Sequence, residues 1–328
     1  MRTSLNDLCI RFIENRDIIK DTFFWESSYL YPVSAAFFVD KRRTADRERL
    51  ALCQDILKAN TGIFSNFRNY IKLPMISMMA VSSDPEGKLK KAMTVYEDLK
   101  QHFFSSSYLP LASMTISDFV EPHQYEAVAR RTRRIYDLMK QNHPFLTSGE
   151  DSVFAALLAL SDKTDEQIIQ DAEQCYNILK PQFFSGNAVQ SLSHVLALCD
   201  GPAETKCARA MELFEKLKQC GYKYGTGYEL ATLGVLAMLP ANLDTITDDT
   251  VQAAEFLAGQ KGYGILGMTK RQRLMHAGMI VTSDYIAEST SMQTAAVSST
   301  ISLIIAQQTA MCAAIAASTA AANASSNS

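Results

Sequence analysis

The chain repeats itself about every forty residues, and this periodicity limits its fold more than any other feature. Six segments end in a leucine, most often as Leu-Lys, and an aromatic residue follows each of them within a few positions. Self-similarity at this period is typical of stacked supersecondary units, each of which buries its apolar face against its neighbours. The six leucines are 38 to 42 residues apart: Leu57, Leu99, Leu138, Leu179, Leu217 and Leu257.

Each of these units contains two helical segments of different character. The first is apolar on nearly all sides, as at 151–161 and 229–239, which indicates a helix packed between neighbours. The second alternates charged and apolar residues at helical spacing, as at 166–181. Sustained period-2 alternation, the signal of a strand, is absent from the sequence. We therefore predict an all-α array of about six to seven helical-hairpin repeats, either an open α-solenoid or an array that curls toward a toroid.

Proline and capping residues support these helix boundaries. None of the nine prolines lies inside a predicted helix, as expected from the cost of roughly 3 kcal/mol for an interior proline. Four pairs place a capping side chain three residues before an acid or amide, a spacing typical of helix starts. They are Ser148 with Asp151, Asn187 with Gln190, Thr226 with Glu229, and Thr269 with Gln272.

The organisation predicted from these patterns is a single all-helical domain over residues 1–328. An N-terminal helix occupies 1–28, the hairpin repeats occupy 29–282, and an alanine-rich helix with a frayed tail occupies 283–328. No linker rich in glycine, proline or charge separates one repeat from the next. The stretch from Ser289 to Ser328 contains no charged residue.

Composition limits the environment and the partners. A net charge of −3 disfavours nucleic acid as a partner, because such partners are held by a strongly basic surface. The seven cysteines are scattered, without metal-ligand spacing, which favours a reducing compartment and no metal site. No secretory signal and no convincing transmembrane segment is predicted, so we expect a cytoplasmic protein without a membrane partner. No motif indicates a cofactor.

Four runs resemble one bacterial family, a domain of unknown function numbered four thousand and three. They are FLTSGEDSVFAALLALSD from Phe145, NAVQSLSHVLAL from Asn187, YKYGTGYELATLGVLA from Tyr222 and IFSNFRNYIKLP from Ile63. The similarity covers nearly the whole chain. The resemblance implies a bacterial, cytoplasmic origin, and it implies no catalytic residue, substrate or cofactor.

The junctions between repeats are the most polar and glycine-bearing segments, and every second junction of a hairpin array lies on the same edge. We expect a rim of helix N-termini there that binds an anion or a partner segment. The alternative is that these residues are only caps and turns. The candidate binding rim consists of Glu150, Asp151, Asn187, Gln190, His194, Tyr228 and Glu229.

Individual residues leave further alternatives open. Glu150 and Asp151 form either a general acid/base pair or first-turn acids that stabilise a helix start. His194 lines a polar pocket or is a hydrogen-bonded core histidine. The cluster Arg130, Arg131, Arg133 and Arg134 contacts phosphate or is a solvated helix face. No catalytic residue can be assigned. The favoured function is a scaffold that binds a protein or peptide, and the alternative is an enzyme with a polar site among the central repeats.

Overall fold

The computed structural model describes residues 1–104, 106, 108–264, 267–292, 306–307 and 310–315. All the regular structure in these residues is helical, and none of them belongs to a β-strand. The all-α class predicted from the sequence is confirmed. The choice between an open solenoid and a toroid stays a prediction.

Apolar and amphipathic helices alternate along the chain, in the repeat-like order that the periodicity predicts. A single helix, α1 (Thr3–Thr22), comes first. Four pairs of helices follow along the chain: α2 (Leu30–Asp40) and α3 (Arg47–Asn60), α4 (Lys72–Val81) and α5 (Pro85–Lys100), α6 (Leu109–Phe119) and α7 (Tyr125–Asn142), and α8 (Ser152–Leu158) and α9 (Asp165–Leu179). The remaining helices are α10 (Gly186–Leu198), α11 (Ala203–Gln219), α12 (Leu230–Ala237), α13 (Leu243–Ala258) and α14 (Lys270–Met292).

The contacts divide the chain into two compact units. The N-terminal unit contains residues 14–169 together with Ile315, and the C-terminal unit contains residues 1–13 and 170–314. The organisation as one domain, with boundaries at 28 and 282, stays a prediction. Helix α14 extends across position 282, so the repeats and the C-terminal segment are continuous there. The alanine-rich helix predicted beyond it falls largely on residues 293–305 and 316–328, which lie outside the described part of the chain.

First and second helices differ in burial as their sequences predict. In α2, α4 and α6 almost every residue is buried, including small and hydroxyl side chains. Within the N-terminal unit these first helices contact one another in series, α2 with α4, α4 with α6 and α6 with α8. The second helices bury one stripe only, for example Leu50, Cys53 and Leu57 on α3. Each unit is therefore held together by a layer of apolar first helices covered by amphipathic second helices.

A cation on the second helix binds the end of the next first helix in three of the repeats. In α7, Nη1 of Arg131 donates to the carbonyl oxygens of Ala159 (3.1 Å) and Ser161 (2.7 Å), just after α8. The last carbonyls of a helix have no partner inside it and carry the negative end of its dipole, so a cation there is stabilising. The other members of this set are Arg49 on α3 and Arg209 on α11.

Two further repeats carry an acid at the position of this cation, eight residues before the buried Leu179 and Leu257. Asp171 on α9 accepts from the ammonium of Lys206 (2.6 and 2.8 Å), which is buried on α11. Asp249 on α13 accepts from Nη2 of Arg2 (3.0 Å), near the start of α1. At these two positions the second helix supplies the acid and another helix supplies the cation, but each ion pair still joins two helices.

The four clustered arginines of α7 are all ion-paired. Arg131 and Arg134 share the carboxylate of Asp165 at 2.8 Å each, Arg133 pairs with Asp137, and Arg130 pairs with Glu126 at 3.4 Å. Burial alone would raise the pKa of Asp165, but the two guanidinium groups outweigh burial and lower that pKa below its usual range. Arg131 is therefore part of the helix-end contacts, and the prediction that it lies on a solvated face is wrong for this residue.

Candidate functional site

The two units divide the residues of the predicted rim. Asp151 belongs to the N-terminal unit, whereas Asn187, Gln190, His194, Tyr228 and Glu229 belong to the C-terminal unit. The side chain of Glu150 lies outside the described part of the structure. Each unit is therefore considered by itself below.

Tyr228 and Glu229 line an open cleft of about 430 Å³ at the starts of α12 and α14. The opposite wall is the segment from Thr269 to Gln272. Nε2 of Gln272 donates to the hydroxyl of Tyr228 at 3.2 Å, which joins the two junctions directly. The structure thus brings two neighbouring junctions of the predicted rim together.

Glu229 is buried by the glycine-bearing loop that precedes it. Its carboxylate accepts from the backbone N–H of Gly227 at 3.0 Å. A side chain at Gly225 would collide with this carboxylate, since a Cβ there would lie 2.2 Å from Cδ of Glu229. The role visible for Glu229 is to hold the turn before α12, but the predicted capping pair with Thr226 is wrong, because α12 begins only after Glu229.

The other predicted caps differ in detail. Thr269 and Gln272 form the reciprocal pair that the spacing predicts, because each side chain accepts from the other's backbone N–H (3.2 and 3.0 Å). Asp151 is buried and accepts from the backbone N–H of Ser148 at 2.6 Å. The cap of α10 is Ser185, whose Oγ accepts from the N–H of Ala188. The prediction of Asn187 as that cap is wrong, since Asn187 is exposed within the first turn.

Gln190 and His194 lie on the buried side of α10. Each side chain is 3% exposed. Side chains at this depth do not form part of an exposed rim, so any role in binding would require an opening of the C-terminal unit. In the described residues, no group of three or more histidine, cysteine or acidic side chains has the arrangement of a metal site.

Sequence reasoning missed a row of exposed phenylalanines at the junctions of the N-terminal unit. Phe64, Phe104 and Phe145 are 96%, 97% and 99% exposed, and Phe24, one repeat earlier, is 76% exposed. These four residues, which we call the phenylalanine row, are 40 or 41 residues apart in the sequence. The aromatic that recurs after each Leu-Lys was interpreted only as a marker of the repeat, although its position in a junction was a signal of exposure.

Neighbouring aromatics at these junctions are packed, so the exposure of the row is specific. Phe103 contacts the ring of Tyr136 edge to face at 5.4 Å, while Phe104 beside it contacts solvent. The C-terminal unit shows the same division at its first junction, where Phe183 is buried and Phe184 is fully exposed. At the junctions of Phe24, Phe64, Phe104 and Phe184, one aromatic is therefore packed and another is exposed.

Among the described side chains near the phenylalanine row, which do not include Glu150, the charges that lack an opposite partner are mostly positive. Lys20 and Lys140 are exposed, and neither pairs with an acid in the described part of the chain. Arg68 donates to the hydroxyl of Thr61 and to carbonyl oxygens. Against these three cations stands Asp98, half-buried at the end of α5, whose pKa is raised by burial and by Glu126. The row is thus accompanied by a small excess of positive charge.

Comparison with known proteins identifies the family. Residues 15–310 match the model of DUF4003, a family described as proteins of unknown function. The chain belongs to this family. It is 26% identical over 308 residues to the uncharacterised protein YeaA of Bacillus subtilis (strain 168), a match covering 87% of this chain and 91% of YeaA. No solved structure shows a significant match to this family member.

The resemblance found in the sequence is therefore confirmed at the level of the family. The description of the family and the name of YeaA assign no activity to either. Across the described helices of this DUF4003 member, none combines the length and the hydropathy required to span a membrane.

Proposed function

We propose that this protein binds a protein or peptide partner through the phenylalanine row and the adjoining junctions of the N-terminal unit. The observation that carries the proposal is the near-complete exposure of Phe64, Phe104 and Phe145 at one repeat position. Burying an exposed phenylalanine side chain is favourable by about 1.5–3 kcal/mol. A partner that covered several of these side chains would therefore gain a large favourable contribution to the free energy of binding.

The repeat architecture supports the same function. Stacked hairpins place equivalent residues of successive repeats along one edge, which creates an extended surface for a partner. Aromatic side chains dominate the energetic centres of protein interfaces. The proposal places the protein in the cytoplasm, where its seven thiols stay reduced.

A triple variant tests this function. Phe64→Ser, Phe104→Ser and Phe145→Ser together should abolish the capture of partners by the full-length protein, expressed at its native level in its own bacterium. Leu52→Ser is the matched control, because Leu52 is half-exposed on α3 and lies away from the junctions. Both variants should keep the thermal unfolding midpoint of the wild type, since exposed side chains contribute little to stability.

Retention of the same partners by the triple variant would contradict the proposal. A wild-type protein that captured no partner under conditions that preserve weak complexes would contradict it as well. The polar cleft at Tyr228 and Glu229 offers a second comparison. If a substitution of Tyr228 abolished partner capture while the triple phenylalanine variant kept its partners, the binding surface would lie in the C-terminal unit instead.

A further inference from the structure

Two buried thiols lie side by side next to the Lys206–Asp171 ion pair of the C-terminal unit. Sγ of Cys207, on α11, donates to the backbone carbonyl oxygen of Cys175, on α9, at 3.8 Å. The thiol of Cys175 donates to Oδ1 of Asp171 at 3.7 Å and is hydrogen-bonded to the thiol of Cys207. Both side chains are completely buried. The two sulfurs therefore face each other where α9 meets α11.

A third cysteine beside the same ion pair has its sulfur directed elsewhere. The carbonyl oxygen of Cys199 accepts from the ammonium of Lys206 at 3.1 Å, whereas its Sγ donates to the carbonyl oxygen of Val195, one turn back on α10, at 3.6 Å. Cys220, at the end of α11, is exposed. These two cysteines are therefore controls for any chemistry that needs two facing sulfurs.

The surroundings of the two thiols favour opposite protonation states. The hydrogen bond from Cys175 and the ammonium of Lys206 lower the pKa of Cys207, although burial and the carboxylates of Asp171 and Glu204 act in the other direction. The same hydrogen bond, together with burial, raises the pKa of Cys175, so that thiol keeps its proton. The thiolate is the nucleophile in thiol oxidation, and a neighbouring cation promotes it. Cys207 is therefore the sulfur that attacks first.

We propose that Cys175 and Cys207 form a reversible disulfide on exposure to hydrogen peroxide, which joins α9 to α11 covalently. The thiolate of Cys207 attacks a peroxide oxygen, so that an S–O bond forms, the O–O bond breaks, and the departing hydroxide takes up a proton as water. Cys175 then attacks this sulfenic sulfur, the S–O bond breaks, and its oxygen leaves as a second water with the proton of Cys175. Two thiols are oxidised while one peroxide is reduced to two waters.

Burial determines both the rate of this reaction and its consequence. Because neither sulfur contacts solvent, peroxide reaches them when the contact between α9 and α11 opens locally, so the reaction is slower than at an exposed thiol. The disulfide joins positions 32 residues apart and then prevents that opening. Disulfides in the cytoplasm are typically transient and redox-sensing, and cellular dithiols would reverse this one. The device is independent of the phenylalanine row.

Peroxide treatment of the full-length protein tests the proposal. The reduced protein is exposed to hydrogen peroxide, alkylated with iodoacetamide in concentrated urea, digested and analysed by mass spectrometry. The expected product is a pair of peptides linked through Cys175 and Cys207, two hydrogens lighter than the separate reduced peptides and separated by dithiothreitol. Cys207→Ala should abolish the link. Cys220→Ser and Cys199→Ala are the matched controls and should keep it.

The stability of the oxidised protein provides a second measurement. The urea midpoint of the linked wild type should lie above that of the reduced wild type, because the disulfide restricts the unfolded chain. In Cys175→Ala, which lacks the pair, peroxide should not raise the midpoint. An unchanged midpoint after complete linkage would contradict the stabilising role of the disulfide.

The wild type alone is sufficient to overturn the proposal, so it does not depend on how well the variants fold. Recovery of Cys175 and Cys207 as alkylated thiols after peroxide has oxidised the exposed Cys220 would overturn it. Linkage of either residue to Cys199 or Cys220 in its place would overturn it as well. The same treatment of protein unfolded in urea is the reference, and an equal yield of the link in folded and unfolded protein would show that the fold does not pair these sulfurs.

Discussion

Replacing Asp171 with alanine is expected to destabilise the protein by about 3–5 kcal/mol, the cost of leaving a buried charge without its partner. The ammonium of Lys206 is 2% exposed and contacts both carboxylate oxygens of Asp171, at 2.8 and 2.6 Å, and the carbonyl oxygen of Cys199 at 3.1 Å. Without the carboxylate, one carbonyl oxygen remains to stabilise a full positive charge in the interior of the C-terminal unit. Urea unfolding followed by circular dichroism measures the loss.

The matched control removes both charges. The double variant Asp171→Leu and Lys206→Met should be far more stable than Asp171→Ala alone, because replacing a buried pair by apolar residues of similar volume is often neutral or stabilising. A loss below about 1 kcal/mol for Asp171→Ala, as for an ordinary surface site, would show that Lys206 is solvated in solution.

Leu217→Ala is expected to cost about 2–5 kcal/mol, as for buried leucines whose removal leaves a cavity. Leu217 on α11 is completely buried, and it occupies the repeat position of Leu57, Leu99, Leu179 and Leu257, all buried to the same degree. The midpoint of denaturant unfolding should fall while the slope of the transition stays the same, because the surface exposed on unfolding hardly changes.

Leu52→Ala is the control for this prediction. Leu52 lies five residues before Leu57, on the other side of α3, and is 51% exposed, so its truncation should cost under about 0.5 kcal/mol. Equal losses for Leu217→Ala and Leu52→Ala would mean that the repeat register described here is wrong.

The sequence was sufficient to predict an all-helical, repeat-like chain, because the buried stripe and the proline positions are local patterns that recur. Its register was right at five of the six leucines. In the third repeat the buried position is Met139, and Leu138 is only half-buried. A one-residue shift rotates a helical position by about 100°, and a Leu-Met pair does not reveal which member turns inward.

The contacts at the helix ends were harder to predict, because they depend on residues about thirty positions apart. Arg131 reaches the carbonyl oxygens beyond α8, and Asp171 reaches Lys206 on α11. On a helical wheel both look like solvated polar residues. The long side chains of arginine and lysine extend along apolar surface until the charged end contacts a partner. The periodicity of the sequence does not show which partner that is.

The phenylalanine row was missed for a related reason. Phe103 and Phe104 are adjacent in the sequence and chemically identical, yet one packs against Tyr136 and the other is exposed. In a junction without regular structure, no period assigns a side chain to the core or to solvent. The structure makes that assignment, and it moves the candidate surface of the N-terminal unit from the polar caps to the aromatic residues beside them.

Site-specific photo-crosslinking tests the binding role of the phenylalanine row most directly. A photoreactive phenylalanine analogue at position 104 keeps an aromatic side chain in the row, whereas the same analogue at position 52 reports on the outer face of α3. On irradiation of living cells, the account predicts a discrete crosslinked protein from position 104 and none from position 52. Crosslinks from position 52 with none from position 104 would contradict it.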